Sequence, residues 1–440
     1  MANVLQAYYR VGIARELTTL FSSSDLSDKY EGLAISGHIA AYHDAIVSEF
    51  LSTNSKPYFV DPYTFVFQFE NKLVRSTESK NGSADDETQV KLSVMKLAEC
   101  CGKPLTTCVD EKRTVLLTDF GAIGNWDEHL IKEFVTKVVK FQKSRTSHQQ
   151  TSLDMLLEWA QMPPGQRGTR SPAFILPPYF LCDGFDHWYD LSLMMAKVAK
   201  EVESEIPIYP VIALEESTLS SADARSRLVD DYRGFEGCFL WINRLNESEA
   251  GTDVLTDYGR LVKALASSGL RVFSLYGGVF SAFLSKVGLS GFVSGVCYND
   301  YKIAQAKPGG GKIRYYSAQV CKKLSIADAI KFYSTFPTVM CNCKYCRQVP
   351  GTKGRLGSKQ FARSFFPLLI RGADHPDTIV RSHFLLKRAQ ELAYIAESSA
   401  DVIIEDCRSS AQQYGGAADV GNLLNWATAF RELTKRTEPA

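Results

Sequence analysis

Three thiols fall within six residues in Cys341-Asn342-Cys343-Lys344-Tyr345-Cys346. Two thiolates one residue apart, with a third three positions on, can wrap a single tetrahedral ion. Soft sulfur donors select zinc and ask for one more Cys or His. His383, 37 residues after Cys346 and on a predicted helix, is the first choice, with His375 and then Cys407 as the alternatives. A window this short and polar is poor core material. Cys238 and Cys297 differ, since they sit in apolar strings and read as buried small hydrophobes. Such a site would be closed and structural, with one Zn2+ per chain clamping the basic segment 344–363 onto a helical tail.

A second group of residues could act on a substrate because each follows an apolar run that reads as a strand. Asp61 follows Tyr58-Phe59-Val60, Asp183 and Asp186 follow Leu181, and Glu215 and Glu216 follow Leu214. Asn243 and Arg244 end Leu240-Trp241-Ile242, and Tyr276, Gly277 and Gly278 end the next run. Barrel chemistry sits where strands end, and carboxylates there suit acid–base or nucleophilic work. Asp61 and Asp183 are therefore the catalytic candidates. Glu215, Asn243, Arg244, Tyr276, Gly277 and Gly278 are the substrate-binding candidates, and the glycine pair, opening a helix, could hold an anion. Each of these residues also serves well as a loop residue or helix cap. Asp119 reads as a loop or cap, and His38 and His43 as structural.

These side chains need a frame. The runs 32–36, 58–60, 173–181, 208–214, 238–243, 272–275 and 292–296 read as strands, and the last five are continuously apolar. That pattern suits a parallel sheet covered on both faces. Helical spacing fits 188–203, 222–232, 258–268 and 279–288 between them. Seven strands with crossovers predict a (β/α)8 TIM-like barrel with one strand still unassigned. Ala34-Ile35-Ser36-Gly37-His38 is a poor phosphate loop, which disfavours an open doubly wound sheet. The expected division is a barrel over 1–310, with an irregular insertion at about 76–172, and a zinc-binding, helical segment over 311–440. Helices are predicted from Pro376, behind an Asp374 cap, to about 397, then over about 400–413 and 418–436.

Charge is unevenly spread. The 440 residues carry a formal net charge of +1, yet 301–363 holds thirteen Lys or Arg and one acid, Asp328. Residues 301–440 have 21 bases and 11 acids, which leaves 29 bases and 38 acids for 1–300. A basic module on an acidic body is what a polyanion would need, so nucleic acid bound through 301–363 is the expected partner. With 45% hydrophobic and 22% charged residues the composition excludes a largely disordered chain. No apolar run suggests a membrane span. The odd count of eleven cysteines and the absence of a secretion signal argue for a reducing, cytoplasmic setting.

A barrel followed by Cys341-x-Cys343-x-x-Cys346 and a distant His383 on a helix resembles the tRNA-guanine transglycosylase family. It is similar also to that family's DNA-modifying relatives, the DNA-guanine transglycosylases of phages and genomic islands. The likeness covers about 170–395. It implies a zinc held by Cys341, Cys343, Cys346 and His383, and a nucleic-acid-binding subdomain shaped by it. It also implies two carboxylates: one attacks the sugar C1′ and displaces guanine, and the other assists proton transfer. Asp61 is the better-placed counterpart of the second, although Asp119 lies in the string more like the family's. Ser294 stands where the nucleophile is expected, with Asp300 further on. tRNA or DNA as partner, and a homodimer, are further expectations of the resemblance. The alternative is a barrel that keeps fold and zinc without base exchange and binds nucleic acid or a protein partner, as in a phage-related or defence system. A third reading is an unrelated barrel hydrolase.

Overall fold

The computed structural model describes residues 5–76, 88–144, 171–296, 299–306, 313–349, 359–371 and 376–435. Seven strands form one parallel sheet: β1 (Gln6–Val11), β2 (Gly32–Ser36), β3 (Tyr58–Asp61), β4 (Val211–Glu215), β5 (Gly237–Asn243), β6 (Arg271–Ser274) and β7 (Leu289–Gly295). Their order is β3-β2-β1-β7-β6-β5-β4, and every pairing is parallel. The apolar runs make this possible, because both faces of the sheet are covered; every residue of β5 and β7 is buried. β1 is the strand that sequence reading left unassigned. Gln6 and Arg10 interrupt its apolar run, and one of its two pairing partners, β7, is far away in sequence.

The sheet curls until its edge strands β3 and β4 approach the same segment, 173–182. Ala173 N–H donates to Tyr58 O (2.8 Å), Tyr209 N–H to Ile175 O (2.9 Å) and Cys182 N–H to Ala213 O (3.0 Å). These are isolated bridges and not a ladder, so the continuous strand expected over 173–181 is not formed. Pro177 and Pro178 have no N–H to contribute. Side chains satisfy the backbone instead. Gln142 bonds both N–H and C=O of Leu176, Thr64 those of Tyr179, and Gln68 those of Leu181.

Inside the curl lies a stack of aromatic rings. Tyr8, Phe59, Phe174, Tyr209, Phe239 and Phe273 make ring contacts with centroids 4.8–6.4 Å apart. Glycine makes room for them. A Cβ on Gly291 would lie 2.6 Å from the Phe273 ring and 2.4 Å from Gln6 O, and the second contact is backbone that cannot move aside.

The supposedly irregular stretch 76–172 is partly helical. Helices span Leu92–Cys101, Leu105–Asp110 and Glu128–Ser144, while 77–87 and 145–170 lie outside the described residues. Ile131, Phe134, Val135 and Val138 form the buried stripe of the last helix, at helical spacing. The glycine-rich turn 307–312 also falls outside the described residues, apart from its approach through Ala306.

The C-terminal part opens with a hairpin, β8 (Arg314–Ser317) and β9 (Lys322–Ser325), followed by the helix Ile326–Thr335. A helix then runs over Lys359–Arg371 despite Pro367, burying Phe361, Phe365, Phe366 and Leu369. The helices Pro376–Glu397, Ala400–Tyr414 and Gly421–Thr434 complete the chain close to the expected bounds. The last one packs back on the body: Trp426 Nε1–H donates to Glu247 O (2.6 Å), and Leu433 sits against Gly259. Buried side chains form one continuous core from Ala7 to Leu433. The boundary near 310 thus divides the chain but not the core. Among the described residues, no helix is long and apolar enough to cross a membrane.

Candidate metal centre and strand-end site

Cys341, Cys343, Cys346 and His383 come together with their ligand atoms all within 4.8 Å of one another. His383 Nδ1 lies 3.4 Å from Cys346 Sγ and 3.6 Å from Cys343 Sγ. A tetrahedral zinc with ordinary Zn–S and Zn–N lengths would separate S from N by about 3.6 Å. The donor set therefore fits a closed four-coordinate metal. The second shell is built as well. His383 Nε2 lies 2.9 Å from Tyr316 O, and a carbonyl can only accept, so the proton sits on Nε2 and Nδ1 turns its lone pair to the sulfurs. The Tyr315 ring stacks on His383 at 4.4 Å, and its hydroxyl lies 3.1 Å from Cys346 Sγ. Hydrogen bonds from the thiols of Cys341 and Cys346, with His383 beside them, hold the Cys343 thiol below its usual range. Cys407, the third alternative ligand, is buried on the helix Ala400–Tyr414, outside this cluster. His375 lies outside the described residues.

The module meets the body through ion pairs. Lys344 pairs with Asp25 (2.7 Å), Lys323 with Asp300 (2.8 Å), and Arg381 with the buried Glu16 (3.1 Å). Part of the basic charge read from the sequence is thus neutralised by the acidic body, which no count along the chain reveals.

Asp61 ends β3 and is buried. Its Oδ1 accepts from Tyr179 O–H (2.8 Å) and Tyr63 N–H (3.0 Å). Burial pushes its carboxyl above the usual range, opposed by the Tyr179 bond and by Arg10. Arg10 of β1 donates to Leu275 O (2.6 Å), and its guanidinium lies 3.8 Å from the centroid of the Tyr276 ring. Asp61 Oδ2, Tyr276 O–H and His38 Nδ1 are buried without a hydrogen-bond partner among the described residues. The three lie at or just past the ends of different strands, β3, β6 and β2, and each is a buried group whose lack of a partner calls for an explanation.

The remaining strand-end residues hold the chain's own segment 299–306. Arg244 N–H donates to Lys302 O (3.0 Å), with Arg244 in the left-handed region at φ 68°. Asn243 Oδ1 accepts from Ala304 N–H (2.9 Å), while its Nδ2 donates to Glu215 (2.8 Å) and Gln305 (3.3 Å). Lys302 donates to the Tyr63 hydroxyl and lies over the Tyr63 and Phe65 rings. Asn71 and Lys72 donate to the carbonyls of Gln305 and Ala306. Beneath this strap, Tyr63, Phe65, Tyr179, Trp241 and Tyr276 fill the mouth as touching rings.

Asp183 is exposed, and its N–H donates to Asp186, which caps the helix His187–Val202 through Tyr189 N–H. Asp119 is an internal partner of Arg113 (2.7 Å). The backbone N–H groups after Gly277-Gly278 are already taken by a side-chain carboxyl. Glu247 accepts from Gly278 N–H (3.0 Å), Ser281 N–H (3.3 Å) and the Ser281 hydroxyl. A Cβ on Gly278 would lie 2.9 Å from Glu247 Oε2, so the carboxyl would have to shift to admit one.

Burial pushes the Glu247 carboxyl up to about 7, against the Ser281 and Gly278 hydrogen bonds. Its folded pKa exceeds the ordinary value of about 4.4, so the folded state binds the proton more tightly. Stability from this group is fully present below that unfolded value and is lost as pH rises through about 7, on the order of 3 kcal/mol in all. In Glu247→Gln the fall in Tm between about pH 5 and 8 should flatten relative to wild type; equal slopes would show that Glu247 does not titrate there.

Ser294, at the end of β7, donates to Asp300 Oδ1 (2.7 Å), which Lys323 also contacts. The fold thus brings a carboxylate to Ser294 from six residues downstream. Tyr316 and Arg388, neither singled out in the sequence, line the cleft beside it. Arg388 offers no signal in the sequence, since it sits in a charged stretch, Lys387-Arg388-Ala389-Gln390-Glu391, that reads as an exposed helix face.

Compared with protein-family models and with curated proteins, the chain finds no match.

Proposed function

We propose that this chain is a zinc-holding (β/α)8 barrel, similar to the guanine transglycosylases, that recognises a guanine-type base in tRNA or DNA. In this reading 173–182 is the barrel's irregular remaining stave, and zinc is the ion of the Cys3His cluster. The supporting observation is a juxtaposition. The cluster holds a basic hairpin against the end of β7, and Asp61, buried at the end of β3 in the same parallel sheet, keeps one oxygen unpartnered. A zinc there would be structural and supply no chemistry of its own. For base exchange, the carboxylate of Asp300 attacks C1′ as the bond from C1′ to guanine breaks and Asp61 gives a proton to the departing base; the entering base then gives a proton to Asp61 and attacks C1′, and the C1′–Asp300 ester bond breaks. Residues 302–306 have to leave the mouth first, while Ser294 keeps Asp300 in place.

A second reading, recognition without exchange, is favoured by the aromatic filling of the mouth and by the Asp300–Lys323 ion pair. Labelled-guanine incorporation separates the two. Exchange requires that wild type incorporate label into tRNA or DNA and that Asp61→Asn lower the rate by about 100-fold or more, the scale of acid–base catalysis. No incorporation, together with nucleic-acid binding that weakens steeply with salt, leaves the second reading standing. Neither activity would reject both.

A further inference from the structure

The end of β7, the hairpin β8–β9 and the helix Pro376–Glu397 enclose a small cleft lined by Arg314, Tyr316, Lys322, Lys323, Asp300 and Arg388 among others. Arg388 is its floor. The residue is 1% exposed, and its guanidinium lies 5.2 Å from the centroids of both the Tyr316 and Phe384 rings. Its ion pair runs from Nε to Glu391 Oε2 at 3.2 Å, too oblique for a hydrogen bond. Both Glu391 oxygens already accept from the Tyr316 hydroxyl. Arg388 Nε and Nη1 therefore have no hydrogen-bond acceptor among the described residues. A buried guanidinium with unfilled donors is costly unless a ligand supplies oxygens.

The acids facing the cleft are committed elsewhere. Asp300 is held by Lys323 and Ser294, and Glu247 by Gly278 and Ser281. Glu249 is exposed at the edge. On the cationic side, Arg314 stands exposed at the rim, and Lys322 leans on the exposed Asp419. A planar guanidinium below and mobile cations above match a tetrahedral oxyanion, which offers two oxygens to the fork and others to the rim.

We propose that this cleft is a phosphate-binding site, with Arg388 as the buried anchor and Arg314 and Lys322 as rim contacts. The phosphate belongs to a nucleic-acid backbone or to a free nucleotide, and the site itself does not depend on the base-recognition reading. The full chain with its metal is titrated with inorganic phosphate against chloride of equal ionic strength, with Tm as the readout. Phosphate should raise Tm saturably. Arg388→Lys keeps the charge and loses the fork, so the midpoint should move up about tenfold; Arg314→Gln should move it severalfold. If Arg388→Lys lowers the helical signal, Arg314→Gln and Lys322→Gln decide. Phosphate that displaces a single-stranded oligonucleotide identifies the backbone as the source. A nucleoside 5′-monophosphate that binds more tightly than phosphate, with oligonucleotide binding untouched, identifies a nucleotide. A linear response to phosphate, or equal midpoints in all variants, overturns the site and leaves nucleic-acid recognition to be judged separately.

Discussion

Replacing Cys343 by Ser should strip the metal from the protein and release the C-terminal module. Structural zinc in small sites is bound by ~10–16 kcal/mol, so losing one of four ligands removes on the order of 3 kcal/mol or more. That weakens binding at least about a hundredfold. The ion would tie the short segment of Cys341, Cys343 and Cys346, which has no long helix or strand of its own, to His383 within a 22-residue helix. Wild type should carry about one zinc per chain by metal analysis. Cys343→Ser should carry little, with segments near 341–349 newly open to protease while the sheet keeps its circular dichroism. Cys407→Ser, outside the cluster, should retain the metal. Full zinc content in Cys343→Ser would show that the four residues do not form the site.

The second large effect lies inside the curled sheet. Phe174→Ala should cost about 3–5 kcal/mol of stability, the range for removing a fully packed phenyl ring. Phe174 touches the rings of Tyr8, Phe59, Tyr209, Phe239 and Phe273, which come from β1, β3, β5, β6 and the approach to β4. It also stands where 173–182 joins the sheet edges by single bridges, so no ladder of backbone bonds compensates for the lost packing. Denaturant unfolding measures the cost. A loss under about 1 kcal/mol would mean that the edge segment is not held by this ring.

Much of the frame was legible because it rests on local signals. Continuous apolar runs marked β2 to β7, since a strand covered on both faces needs no polar alternation. The tail helices showed themselves by helical spacing and by Pro376 at a helix start. β1 was not legible, because its run mixes polar and apolar residues and its place between β2 and β7 depends on a strand at the far end of the sheet's sequence. The helix Lys359–Arg371 was hidden by Pro367, whose penalty is outweighed by a buried stripe of phenylalanines. The helix Glu128–Ser144 carried its stripe in plain view and was passed over beside the loop-like stretch that follows.

The site divides in the same way. Three sulfurs within six residues need no tertiary structure to be recognised as candidate ligands, since the backbone alone keeps them within reach of one ion. His383 was already the first choice as a helix residue, and the structure adds what the sequence could not show, its place in the cluster and the Tyr316 O and Tyr315 ring that orient its imidazole. The occupants of the strand ends were decided by the fold alone. Glu247 fills the helix N-terminus after the glycine pair, segment 299–306 occupies Asn243 and Arg244, and Asp300 reaches Ser294. A sequence records which groups can ionise or coordinate. Whether each meets solvent, a substrate or another part of its own chain depends on contacts between residues far apart in sequence, and those are settled only when the core closes.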